Sequence, residues 1–432
     1  MFLKKTQNIV EWYCNLYFYK ENQGGRKVAE VLDELNTIPC GPMGIIALPG
    51  CEEICKKVEH YIVKWREERD SKYKSTLAFS GYQKNSYIVD VTFNRFGTGE
   101  GKAVIHESVR GYDIFIVCDM FNYGISFPMY GKECYMSPDD HFANLKRAIS
   151  AIGGKARRIT VIMPMLYEGR QHKRSGRESL DCAIALQEIC HMGVENIITF
   201  DAHDARVQNA IPLNGFENVQ PTYQMVKALT KAVPDIRFDP DHLMIISPDE
   251  GGMSRCIYYS TVLGLQLGMF YKRRDFTRVI QGRNPILAHE YLGANLDGKD
   301  CLVIDDMISS GDSMIEVAKK LKELNANRIF VCTSFGLFCN GLETFDGAYE
   351  TGIITKVFTT NLIYRAPELL KRDWYCEVDM SKYLAYIVDT LNHDVSVSHL
   401  LNPADKITTR IAEHKIRQQA DGLFDEQLSL IK

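Results

Sequence analysis

Apolar positions in this chain come at two spacings, and the alternation between them lays out its elements. Short continuous apolar runs bounded by Gly, Pro or acids predict strands at GIIAL (from Gly44), 87–93, 113–119, 159–163, 196–201, LMIIS (from Leu243) and 301–304. Helical spacing appears between them. Cys55, Val58, Ile62 and Trp65 share one face of a predicted helix, and 180–191, 225–233 and 314–324 carry similar patterns. Residues 145–152 predict a short helix stopped at Gly153 and Gly154, whereas 122–142 are too rich in Gly, Pro and Tyr for a helix. Residues 211–221 predict a linker, and each side of it shows strand, helix and a strand ending in acids. That order predicts two similar α/β units. The expected layout is an extension over 1–42, units over 43–210 and 211–401, and a polar helical extension over 402–432.

Composition narrows the class. At 432 residues with 45% hydrophobic and 25% charged residues, the chain suits two soluble globular domains. A formal charge of −4 gives no basis for bulk nucleic-acid binding, so any anion site must be local. Thirteen scattered cysteines, many within apolar runs, fit free thiols in a reducing cytoplasm better than a disulfide framework. Cys51 and Cys55 share a helix face, but no second pair follows at zinc-site spacing. No stretch approaches the roughly 18 apolar residues of a membrane span, and the start lacks a secretory apolar region. The expected location is cytoplasmic, with no nucleic-acid or membrane partner.

The candidate chemistry sits where strands end. In CLVIDDMISSGDS (from Cys301), a buried strand runs into Asp305 and Asp306, then a small-residue turn opens a helix. Ser309, Ser310, Gly311, Asp312 and Ser313 bring hydroxyls and backbone N–H groups to a helix N-terminus, where an anion is favoured. A plain strand-to-helix turn would look similar. In YEGRQHKRSGRES, Arg170, His172, Lys173, Arg174 and Arg177 place five potential cations within eight residues, either an anion site or a solvated turn. In FDAHD, Asp201 and His203 lie two apart at a strand end and can face one side. Lys272, Arg273 and Arg274 form a basic triplet at a strand end, and such triplets are often solvated. In SPDEGG, Asp249 precedes two glycines that permit close backbone approach.

Taken together, motifs along the chain resemble, in order of position, those of ribose-phosphate diphosphokinases, over roughly residues 89–401. VIDDMISSGDS resembles a phosphoribosyl-binding signature shared with type I phosphoribosyltransferases. RFGTGE resembles a loop that enters a neighbouring subunit's ATP site, with Phe96 against adenine and Glu100 beside it. YEGRQHKRSGRES, FDAHD, SPDEGG and KRR are similar to the family's ATP, metal, second-metal and catalytic-loop segments. The resemblance implies an α/β fold of two type I phosphoribosyltransferase-like domains, each a mostly parallel sheet flanked by helices. It implies transfer of the β,γ-diphosphoryl group of ATP to ribose 5-phosphate, with Mg2+ as cofactor, in a homo-oligomer with an inter-subunit ATP site. Carried over by position, Arg170, Gln171, His172, Phe96 and Glu100 would bind ATP. Asp305, Asp306, Ser309, Ser310, Gly311, Asp312 and Ser313 would bind ribose 5-phosphate. His203 and Asp249 would hold the metal, and Lys272 and Arg274 would stabilise the transferring group. The chain departs from the pattern at His172, where an acid is usual, at Ser309, where Asp is usual, and at Asp312, where a small residue is usual. Those departures leave two alternatives: a regulatory homologue of the enzyme, or a phosphoribosyltransferase that consumes phosphoribosyl diphosphate.

Overall fold

The computed structural model describes residues 37–72, 82–274 and 286–420. The first half contains β1 (Met43–Ala47), the hairpin β2 (Val91–Arg95) and β3 (Gly101–Ile105), and β4 (Asp113–Val117). A second hairpin, β5 (Ser126–Met129) and β6 (Lys132–Tyr135), precedes β7 (Arg158–Ile162), β8 (Asn196–Phe200) and β9 (Gly215–Val219). Strands β1, β4, β7, β8 and β9 form one sheet in that order, all parallel.

The second half builds a seven-stranded sheet. Its strands are β10 (Leu243–Ser247), β11 (Gln266–Arg274), β12 (Ile286–Leu292), β13 (Asp300–Ile308), β14 (Ile329–Gly336), β15 (Lys356–Thr360) and β16 (Tyr375–Val378). The order is β12-β11-β10-β13-β14-β15-β16, and only β12 is antiparallel to its neighbour. The chain adds strands on one side of β10 and then on the other. Its direction of winding therefore reverses between β10 and β13, the crevice where open α/β sheets bind ligands. The two loops leaving these strands carry Asp249 and the 309–313 turn.

Three local expectations change. The segment 211–221, expected as a linker, contains β9, whose sequence GFENV lacks a strand's apolar pattern because only Val219 is buried. Pairing with β8 supplies its hydrogen bonds instead. The helix expected at 145–152 begins earlier, at Pro138. Ser137 and Asp140 form a capping box there, and Pro occupies the first turn, where its missing N–H costs nothing. In the C-terminal extension, the helix Ala404–Ala420 is docked: Ile407 and Ile411 join the core, and the Gln418 amide donates to the carbonyls of Pro234 and Ile236 at 2.8 Å each. Residues 1–36 and 421–432 lie outside the described residues.

One apolar cluster runs through both halves, joining Ile45, Phe115 and Phe200 of the first sheet to Ile245, Leu302 and Phe330 of the second. The helices Glu52–Lys72 and Ser381–Asn392 contribute Val58, Ile62, Ile387 and Val388 to it. These two helices, from opposite ends of the chain, pack on each other. Trp65 stacks on Tyr386 with ring centroids 4.2 Å apart, and Asp389 binds the fully buried Arg66 and its neighbour Arg69.

Candidate active site

Strand β13 carries both aspartates within it and ends four residues beyond its apolar run, because it continues beside β14 to Ile308. Consecutive strand residues face opposite ways. Asp306 turns towards the first domain, where its Oδ2 lies 2.7 Å from His203 Nδ1. Asp305 Oδ1 lies 3.7 Å from Arg255 Nη1 and accepts the Asp306 N–H at 2.9 Å. Burial and then the Asp306 carboxylate push Asp305 well above the usual carboxylate range. Burial pushes on Asp306 too, but its hydrogen bond to His203 and the Arg255 charge outweigh this and hold it low. His203 is raised in return, first by that hydrogen bond.

The turn after β13 is shaped for close approach. Gly311 has φ +92°, and a Cβ there would sit 2.2 Å from Phe345 Cε2, so only glycine fits. It precedes the helix Asp312–Glu323, whose N-terminus opens onto the turn, with Asp312 N–H 3.5 Å from Ser310 Oγ. The neighbouring loop braces it: Leu337 N–H donates to Ile308 O at 2.8 Å and Cys339 N–H to Ser309 O at 2.9 Å. Asp312, whose carboxylate raised the question of repulsion, lies 3.5 Å from the Asn340 amide nitrogen. Asp249 organises the other turn, its Oδ1 accepting the N–H groups of Gly251 at 2.9 Å and Gly252 at 3.3 Å. A Cβ on Gly252 would lie 3.7 Å from Asp305 Oδ1, so the two loops adjoin.

From the first domain, the β8 end reaches across. Asp201 adopts φ +44°, a strained value for a non-glycine residue. Its carboxylate receives Arg255 Nε at 2.7 Å and the Ser334 hydroxyl, both from the second domain. Neither Arg255 nor Ser334 stands in one of the motifs that mark the site in the sequence. A cation in the first turn of the helix Met253–Leu263 opposes the helix dipole, which is a readable signal that Arg255 is held by acids elsewhere. His172 stands beside His203, ring centroids 5.4 Å apart, while Arg170 and Gln171 are exposed on the same loop.

Other expected residues lie apart. Phe96, 53% exposed, and Glu100 are on the β2–β3 hairpin tip, which leans on the second hairpin through the Tyr130 N–H donating to Gly97 O at 2.8 Å. Lys272 and Arg274 lie at the end of β11, paired with β12, but their side chains fall outside the described residues. Among the described residues, no three His, Cys, Asp or Glu side chains converge as a metal cluster. None of the described helices is long and apolar enough to cross a membrane.

Comparison with known proteins agrees with this architecture. Residues 43–193 match the N-terminal domain of ribose phosphate pyrophosphokinase, and residues 216–354 match the phosphoribosyl transferase domain. The ribose-phosphate pyrophosphokinase of Mycoplasma pneumoniae is 30% identical over 281 residues, covering 63% of this chain and 76% of that one. The Vibrio cholerae protein of the same name is 24% identical over 319 residues, covering 72% and 91%. The crystal structure of phosphoribosylpyrophosphate synthetase from Mycobacterium smegmatis superposes with a TM-score of 0.63 at 18% identity, covering 82% of this chain and 99% of that one. With two phosphoribosyltransferase-type domains, a glycine-gated turn at the sheet's winding reversal and Asp306 facing a histidine of the other domain, this chain belongs to the ribose-phosphate pyrophosphokinase family.

Proposed function

We propose that the chain transfers the β,γ-diphosphoryl group of ATP to the C1 hydroxyl of ribose 5-phosphate, releasing AMP and forming 5-phosphoribosyl 1-diphosphate. The observation that carries this reading is the meeting of the glycine-gated turn after β13 with His203 of the other domain across Asp306. A phosphorylated sugar in the turn would present its hydroxyls to the two aspartates, facing a second ligand held by the first domain.

In this reading Ser309, Ser310, Gly311, Asp312 and Ser313 hold the 5-phosphate, chiefly through backbone N–H groups. Asp306, held ionised, accepts a ribose hydroxyl, and Asp305, pushed towards its protonated form, can donate to another oxygen. Arg170, Gln171 and His172 line the ATP side. Phe96 and Glu100, on a projecting hairpin, serve the ATP site of a neighbouring subunit in a homo-oligomer. Lys272 and Arg274, at the carboxyl end of the strand beside β10, stabilise the β-phosphoryl group as the anomeric oxygen attacks in line and AMP leaves. His203 and Asp249 would hold a Mg2+ ion brought largely by its substrate, whose remaining oxygens would come from triphosphate and water. Bound there, the ion would neutralise charge on the transferring group.

The test is AMP release from ATP and Mg2+, with and without ribose 5-phosphate. Ribose-dependent AMP is expected from the intact chain, with a loss of about 10²–10³-fold in Lys272→Ala. Folded protein that binds ATP but releases no AMP would transfer the reading to a regulatory homologue.

A further inference from the structure

Beside the expected magnesium ligand stands a second imidazole, and its surroundings are those of a metal ligand. We propose that His172 and His203 form a two-nitrogen site for a borderline first-row divalent ion of the Co2+, Ni2+ and Zn2+ class, binding through His172 Nδ1 and His203 Nε2.

Three observations carry this. First, imidazoles sharing one ion at nitrogen–metal distances of about 2.1 Å have ring centroids about 5–5.5 Å apart, and these two lie 5.4 Å apart at an interplanar angle of 57°. Second, each ring has a carboxylate at the nitrogen opposite the proposed donor. His203 Nδ1 lies 2.7 Å from Asp306 Oδ2, and His172 Nε2 lies 3.5 Å from Asp204 Oδ2. Carboxylates in that position fix the tautomer and orient a metal-binding ring. Arg206 clamps Asp204, its Nε donating to the carboxylate at 2.9 and 3.2 Å, and so holds the carboxylate in place beside the His172 ring. Third, His172 Nδ1 is buried with no hydrogen-bond partner among the described residues, an arrangement that is costly unless a ligand satisfies it.

Two nitrogen donors change the chemistry of the site. Magnesium prefers oxygen, whereas imidazole favours the later first-row ions. With only two protein donors, the remaining positions go to water or to phosphate oxygens of a bound nucleotide. The proposal shares His203 with the reading above but does not depend on the reaction.

The experiment is a Co2+ titration of the intact chain without nucleotide, followed by visible absorption, with Mg2+ as competitor. One Co2+ should bind in preference to Mg2+. His172→Asp and His203→Asn should each weaken Co2+ binding at least about tenfold, and His191→Asn, at the exposed end of the helix Asp181–His191, should not. His172→Asp, which supplies oxygen in place of nitrogen, should narrow the preference for Co2+ over Mg2+. Equal Co2+ affinity in folded His172→Asp, or an equal loss in His191→Asn, would overturn the site. X-ray absorption of the Co2+-loaded intact chain reads the bound ligands directly and does not depend on how any variant folds: two imidazoles on the ion are expected, and one or none refutes the proposal. Ribose-dependent AMP release in Mg2+ succeeds or fails separately.

Discussion

Arg255 is nine-tenths shielded from water and lies between carboxylates of both domains, Asp201 of the first and Asp305 of the second. Burial would drive its proton off, but Asp201, Asp306 and Asp305 together hold it charged. Removing one member of such a set leaves the others buried and uncompensated, which is usually worse than never having had the pair. Arg255→Met should therefore cost about 3 kcal/mol in urea unfolding. Asp201→Asn alone should also destabilise, and the double variant should recover part of the loss, a coupling that a double-mutant cycle would read directly. Additive losses would show that the inter-domain pair contributes nothing as a pair.

At the scale of elements, the packing of helix Ser381–Asn392 on helix Glu52–Lys72 depends on one buried polar group of residues. His393, just past the helix end, donates from Nδ1 to Asp389 O at 2.7 Å, and its Nε2 faces the Tyr82 hydroxyl at 3.2 Å and Arg69 at 3.5 Å. That arrangement suits a neutral ring accepting at Nε2. Burial is the largest cause that lowers its pKa to about 4, against the partial opposition of Asp389. The unfolded chain takes up this proton near pH 6.5 and the folded chain only near pH 4. Stability should therefore fall as pH drops through that window, by up to about 3 kcal/mol from this residue. Burial raises Asp389, but the charges of Arg69 and Arg66 outweigh it and bring it to about 2, so its own contribution is lost only as pH falls from about 4 to 2. Urea midpoints measured between pH 4 and 7 should show a flatter slope in His393→Asn. An unchanged slope would place the acid sensitivity elsewhere.

For the whole molecule, the Phe96 hairpin sets the strongest constraint. Phe96 stands 53% exposed at a hairpin tip that is braced by a second hairpin, the Tyr130 N–H donating to Gly97 O at 2.8 Å, so the ring is held where another chain could meet it. If it completes a neighbour's ATP site, specific activity should collapse on dilution below the assembly's dissociation constant. Mixing Phe96→Ala chains with Lys272→Ala chains should restore some activity, since each mixed interface can hold one site with both groups intact. Constant specific activity in a demonstrated monomer would remove the inter-subunit reading.

The amino-acid sequence alone determined the two α/β units, the strand ends that hold the candidate residues and the family. These depend on local spacing: buried parallel strands read as apolar runs, and turns next to ligands need glycine or small hydroxyl residues in short order. The 309–313 turn and Asp249 were legible for that reason. Strand β9 was not, because GFENV lacks an apolar pattern and owes its strand form to its neighbour β8. Nor was the docking of Ala404–Ala420, whose few apolar residues become core only when the second domain supplies the facing surface. Tertiary structure alone decided which acid meets which base. Asp306 pairs with a histidine 103 residues away, Asp201 with Arg255 and with Ser334, 133 residues away, and His172 comes to lie beside His203. Contacts at such separations leave no periodicity along the chain, so only the folded arrangement of the two sheets reveals them.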